Sequence, residues 1–143
     1  SIGRRPVVSE KLVLDSFALV SLFHKEPGWE KVRAALYEQQ RSGTKAFLNW
    51  VNWGEFFYII KRKVGAVRAA EALHLLEQLP IELVEVDLPL VREAAEIKSE
   101  YAVSYADAFC IATARRLSGT VLTSDPEFHA VEHLIAVRWL TGP

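Results

Sequence analysis

The sequence predicts an α/β domain, a three-layer sandwich in which a mainly parallel central sheet of about five short strands is flanked by helices. Short β-like runs alternate with helical periodicities along the chain, a rhythm that gives parallel strands joined by right-handed crossovers. Half of the 143 residues are hydrophobic, enough to bury a core, and no repeat, low-complexity tract or linker divides them. One domain over residues 1–143 is expected, with its core at about 12–139.

Leu12 to Leu14 form a β-like run ending at Asp15, and SFALVSLF then takes up helical spacing until HKEPG breaks it. Trp29, Val32 and Leu36 mark a second helix through Arg41, stopped by Ser42 and Gly43, and Lys45 to Leu48 reads as the second strand. A long helical region follows. Asn52 to about Val64 is apolar nearly all round, Gly65 interrupts it, and Ala66 to Leu79 resumes before Pro80. Ile81 to Val86 is the third strand, and Asp87 with Pro89 opens a helix to about Tyr101. Ser104 to Leu117 is a further helix ended by Ser118 and Gly119. Thr120 to Thr123 is then a strand, Pro126 to Ala130 a turn, and Ile135 to Trp139 the last strand.

Lys and Arg number 17 against 18 Asp and Glu, a net charge of −1, so any surface for a polyanion must be a local patch. Cys110 is the single cysteine, which excludes an internal disulfide and favours a reducing compartment. No stretch approaches the ~20 apolar residues of a membrane helix, and Ser9, Glu10 and Lys11 interrupt the N-terminal apolar run short of signal-peptide length. A cytoplasmic location, with no membrane partner, is expected.

Four acids stand where such a fold gathers its ligands, since everything just after a strand of a parallel sheet lies on its carboxyl edge. Asp15 follows the first strand and Asp125 the Thr120 to Thr123 strand; Glu55 lies in the first turns of the helix after Lys45 to Leu48, and Asp107 in the first turn of its own helix. Each has an ordinary explanation. Asp15 reads as an N-cap, Asn52-x-x-Glu55 and Ser104-x-x-Asp107 as capping boxes, and Asp125-Pro126 as an N-cap before proline. Capping leaves the convergence unexplained, and also the choice of acids inside WVNWGEFFYII and YADAFCIA, which hold no basic residue. Two carboxylates ~4 Å apart repel by about 4 kcal/mol at an effective dielectric of about 20, so four together would take up protons or bind a cation. An all-oxygen site suits Mg²⁺ or Mn²⁺ rather than zinc. His129 and His133 are spaced i, i+4, but no third ligand accompanies them, and an exposed polar face is the simpler account.

LVLDS, a glutamate in an early-middle helix, YADAFCIATA and TVLTSDPEF together resemble the PIN-domain ribonucleases, particularly the VapC-type toxins of prokaryotic toxin–antitoxin pairs. The likeness runs from about Leu12 to Trp139 and is most specific in the last third. It implies a PIN-like fold and a Mg²⁺- or Mn²⁺-dependent endoribonuclease whose catalytic, metal-holding acids are Asp15, Glu55, Asp107 and Asp125. Ser16 matches the small hydroxyl residue beside the first acid and Thr123 the hydroxyl residue two before the fourth, while Glu127 is a further acid just outside the set. The implied chemistry is hydrolysis by water at a metal-polarised phosphodiester, leaving 5′-phosphate and 3′-hydroxyl ends.

RNA, a polyanion, needs basic residues around an acidic pocket; Arg4 and Arg5, Lys61-Arg62-Lys63, and Arg115 with Arg116 are the candidates, each otherwise a solvated face. The resemblance also implies a cognate antitoxin, placing a basic side chain against the pocket, and a homodimer. Trp50, Trp53, Phe56, Phe57 and Ile60 read mostly as core, with some available for such a groove or contact. An alternative of a different class is a catalytically silent PIN-like binding module that only recruits a protein partner. Phosphatases of the haloacid-dehalogenase type fit badly, because Ser16-Phe17 follows Asp15 where D-x-D is required, and a receiver domain fits no better.

Overall fold

The computed structural model describes residues 10–142, so Arg4 and Arg5 lie outside the described residues. The chain runs β1 (Leu12–Leu14), α1 (Ser16–His24), α2 (Trp29–Ser42), β2 (Ala46–Asn49), α3 (Trp50–Glu77), β3 (Ile81–Val84), α4 (Leu88–Glu100), α5 (Tyr105–Leu117), β4 (Thr120–Thr123), a 3-10 turn (Pro126–Val131) and β5 (Ala136–Trp139). Among the described residues all strand pairs are parallel: Val13 registers with Phe47 and with Val121, Leu48 with Leu83, and Leu122 with Arg138.

Side chains alternate across a strand, and here the alternation sorts the core into two layers. Leu12, Leu14, Leu48 and Leu122 pack with Leu19, Val32, Leu36, Phe56 and Ile60 of α1, α2 and α3. Val13 and Val121 pack with Leu90, Ala94, Ala108 and Ile111 of α4 and α5 on the opposite face. This is the three-layer sandwich expected from the sequence. Strand order is β3-β2-β1-β4-β5, so the chain builds outward from β1, then returns to its other side. The reversal between β1 and β4 is a topological switch point, the place where open α/β sheets form a crevice outside their carboxyl ends. Gly119 keeps β4 tight against β1 at the other end, since a Cβ there would stand 2.8 Å from the Lys11 carbonyl oxygen.

The long α3 departs from the sequence reading at its start. Asn49, not Asn52, is the N-cap, accepting from the Asn52 N–H at 2.8 Å; Asn52 is already helical, so Asn52-x-x-Glu55 is not a capping box. Capping at Asn49 wins because the last residue of β2 is already extended, the backbone an N-cap requires. Farther along, Gly65 sits at φ 88° and ψ 174°, a kink within the helix. Its purpose is visible in the buried stripe, which runs through Asn52, Phe56 and Ile60 and then through Ala69, Ala72 and Leu76. From Ile60 to Ala69, at about 100° per residue, a straight helix would swing the stripe to the opposite face. The kink returns both halves to the same core layer.

Candidate active site

Asp15 is fully buried directly after β1 and caps α1. Its Oδ1 accepts from the Ala18 N–H at 2.8 Å and its Oδ2 from the Thr123 hydroxyl at 2.5 Å. Burial first, and the Asp125 and Glu55 charges after it, raise its carboxyl to about 7 against the Thr123 and Ala18 donors, which pull it down. Thr123 also accepts from the Asp125 N–H at 2.9 Å, so one hydroxyl ties the ends of β1 and β4 together. Asp125 in turn caps the 3-10 turn, its Oδ1 accepting from the Glu127 N–H at 2.9 Å.

Glu55 enters from α3, half-buried, with Ser16 donating to Oε1 and the Tyr58 hydroxyl to Oε2 at 3.4 Å. Asp107 enters from the first turn of α5, whose N-cap Ser104 accepts from the Asp107 N–H at 3.1 Å. Its side chain is the anomaly. Only 1% of Asp107 is exposed, yet among the described residues no donor group reaches either carboxyl oxygen, which face only other carboxyls. One oxygen each from Asp107, Asp125 and Glu127 lie within 4.8 Å of one another. Burial, then the facing Glu127 and Asp125 carboxyls, raise Asp107 to about 10. Glu127 is held below its ordinary value by Asp107 across from it and by the Ser104 N–H, which donates to Oε2 at 3.0 Å.

The structure therefore brings Asp15, Glu55, Asp107 and Asp125 into one electrostatic neighbourhood. Cys110, fully buried beneath it, senses all four: burial raises its thiol first, and the fields of Asp15, Asp107, Glu55 and Asp125 add to that. Among the described residues no Lys or Arg forms an ion pair with these acids or with Glu127. Glu127 stands nearer the centre than the sequence suggested, because the tight 3-10 turn after Pro126 folds it back onto the start of α5.

The basic candidates lie elsewhere. Arg115 pairs with Glu93 at 3.1 Å and Arg116 with Asp87 at 2.7 Å, both in the last turn of α5 and far along the helix from Asp107. Lys63 pairs with Glu26 at 3.0 Å. Arg62 lies over the Tyr58 ring, 5.1 Å from its centroid, on the same α3 face as Glu55. His129 stacks on Trp139 and His133 bonds the Tyr101 hydroxyl, so the two histidines serve different neighbours. Sequence reasoning missed Asn49, Thr113 and Tyr58. A signal for Asn49 existed: two asparagines three apart in an otherwise apolar run, LNWVN, are hard to bury without a shared network.

The donor set fits a hard divalent cation. Asp107 carries two buried acceptor oxygens with nothing to accept from, and the facing groups are carboxylates with no His or Cys among them, as Mg²⁺ or Mn²⁺ would require.

Fold and site define an α/β domain with a cluster of carboxylates at its topological switch point. The chain belongs to the PIN domain family, whose model matches residues 12–134. Solved structures of similar shape include DNA-bound VapBC from Salmonella typhimurium, at 16% identity and TM-score 0.75, covering 93% of this chain and 100% of that one. VapBC2 from Rickettsia felis, bound to a promoter DNA fragment, aligns at 12% identity and TM-score 0.73 over 90% and 97%. The sarcin–ricin-loop-cleaving toxin VapC20 from Mycobacterium tuberculosis aligns at 16% and 0.66 over 85% and 95%. At such identities the likeness is one of fold. No curated protein matches the sequence. No helix of the described residues is long and apolar enough to cross a membrane.

Proposed function

We propose that the protein is a divalent-metal-dependent endoribonuclease and the toxin of a toxin–antitoxin pair. One observation carries the reading: the buried, unpartnered Asp107 carboxyl set against Asp125 and Glu127 beside the β1/β4 switch point. Asp107, Asp125 and Glu127 would hold Mg²⁺ or Mn²⁺, with Asp15 and Glu55 completing the negative wall. When bound, the cation polarises the scissile phosphodiester and makes water a competent nucleophile near neutral pH.

The chain's own residues prepare the pocket. Ala18 N–H and Thr123 fix both oxygens of Asp15; Ser16 and Tyr58 do so for Glu55; Ser104 sets the turn from which Asp107 points inward. Groups locked in this way need no reorganisation when charge develops on the substrate. Tyr58 and Arg62 beside Glu55 offer an aromatic face and a cation, a pairing suited to a nucleotide base and its phosphate. VapBC complexes among the similar structures support a cognate antitoxin. The acidic hollow gives a basic antitoxin side chain a seat. A homodimer and a cytoplasmic setting belong to the same reading.

The purified protein is expected to cut RNA with added Mg²⁺ or Mn²⁺ and to leave 5′-phosphate ends, and Asp15→Asn and Asp107→Asn are each expected to lose ~100-fold or more. Cutting that persists in EDTA, or that survives Asp107→Asn, overturns the reading. A wild-type chain silent toward RNA in Mn²⁺ that still captures a protein partner would favour the binding module.

A further inference from the structure

Three fully buried polar side chains have no part in the pocket as described: Asn49, Asn52 and Thr113. An N-cap needs only one oxygen, and Asn49 Oδ1 supplies it to the Asn52 N–H. The amide nitrogen of Asn49 does more. It donates to Asn52 Oδ1 at 2.8 Å and to the Thr113 hydroxyl at 3.0 Å. Thr113 passes its own proton to the Phe109 carbonyl at 2.7 Å. Asn52 Nδ2 reaches across to the Ala106 carbonyl at 3.0 Å. Every member is satisfied, and the network spans the end of β2, the first turn of α3 and two turns of α5.

Its position is specific. Asn52 lies one turn before Glu55, and the carbonyl it holds belongs to the residue before Asp107. Resting on the acid-pocket reading above, we propose that Asn49, Asn52 and Thr113 are positioning residues that fix the register of α3 against α5 and so bring Glu55 and Asp107 to one hollow. Apolar side chains could fill the same space, but they slide; directed amide bonds between two helices do not. The network touches neither substrate nor cation.

The test uses Asn52→Leu, Thr113→Val and Asn49→Ser, the last keeping an oxygen to cap α3. Circular dichroism and cooperative melting establish that each variant folds. Calorimetric Mn²⁺ affinity is expected to fall ~10–100-fold, as for other groups that orient metal-holding side chains, with kcat falling and KM little changed. Backbone amides from Ala106 to Cys110 are expected to exchange faster with solvent. Thr113→Ser, which keeps the hydroxyl, should retain wild-type affinity. Folded variants that melt lower yet keep wild-type Mn²⁺ affinity and kcat overturn the proposal, leaving the network a structural prop. Should the wild-type chain bind no Mn²⁺ at all, the nuclease reading falls separately, and the exchange data still decide: unchanged exchange at Ala106 to Cys110 in Asn52→Leu and Thr113→Val overturns the tie between the helices. If Asn52→Leu fails to fold, the other two variants carry the measurement.

Discussion

Thr123 serves two acids at once, donating to Asp15 Oδ2 and accepting from the Asp125 N–H. A hydrogen bond to a charged group contributes about 1.5–3 kcal/mol, and the donation favours ionised Asp15. Thr123→Val keeps the shape and loses both bonds. Asp15 should then titrate higher, and the acid limb of the pH–rate profile should move up by ~1 unit, whereas Thr123→Ser should leave it in place. An unmoved limb in Thr123→Val would mean that Asp15 ionisation does not govern the rate. At this scale the sequence was informative about residues that follow strands, because strand ends in a parallel sheet share an edge whatever the rest of the chain does. Asp15 and Asp125 were legible for that reason. Glu127 was undervalued because Pro126 announces a turn without saying where it points, and the pairings of Arg115 with Glu93 and Arg116 with Asp87 depend on how α4 lies against α5.

Among the elements, α3 shows most clearly what local pattern can and cannot tell. The interruption at Gly65 was readable, and so was the break in apolar periodicity around it. The helix on either side was readable too; what was not is that the glycine turns the buried stripe back to the same core layer. The φ of 88° with ψ of 174° lies in a region that is essentially glycine's alone, where a side chain costs on the order of 1–3 kcal/mol. No atom lies within 4 Å of a Cβ built there, so the cost in Gly65→Ala is conformational rather than steric crowding. Its unfolding free energy from denaturant melts should drop by an amount in that range; an unchanged value would show that the backbone relaxes to an ordinary helix without loss. The start of α3 was misplaced because two asparagines compete for the cap, and only the extended end of β2 decides between them.

For the whole molecule, the pocket opposes the fold that creates it. Asp15 titrates near 7 in the folded chain against 3.8 as a free side chain, and Asp107 is raised further. The folded state therefore holds protons that the unfolded chain has released, and the stabilising contribution is complete below about pH 4 and lost as pH climbs through about 7 for Asp15 and about 10 for Asp107. In EDTA the protein should melt higher near pH 5 than near pH 8, with its unfolding free energy greater at pH 5 by on the order of a few kcal/mol. Added Mn²⁺ should narrow the gap by raising the melting temperature mostly at the alkaline end, since the cation then stands in for the missing protons. Equal gains at both ends would count against binding at these acids. The layered architecture and strand alternation were legible from the start; the sheet order, and hence the switch point that makes four distant acids neighbours, lay in tertiary contacts the sequence pattern does not display. Cys110 has a practical consequence of its own. Because the chain's single thiol lies sealed beneath that hollow and resists ionising, alkylating reagents should reach it only when the domain opens, so labelling speed makes it a built-in clock for global unfolding.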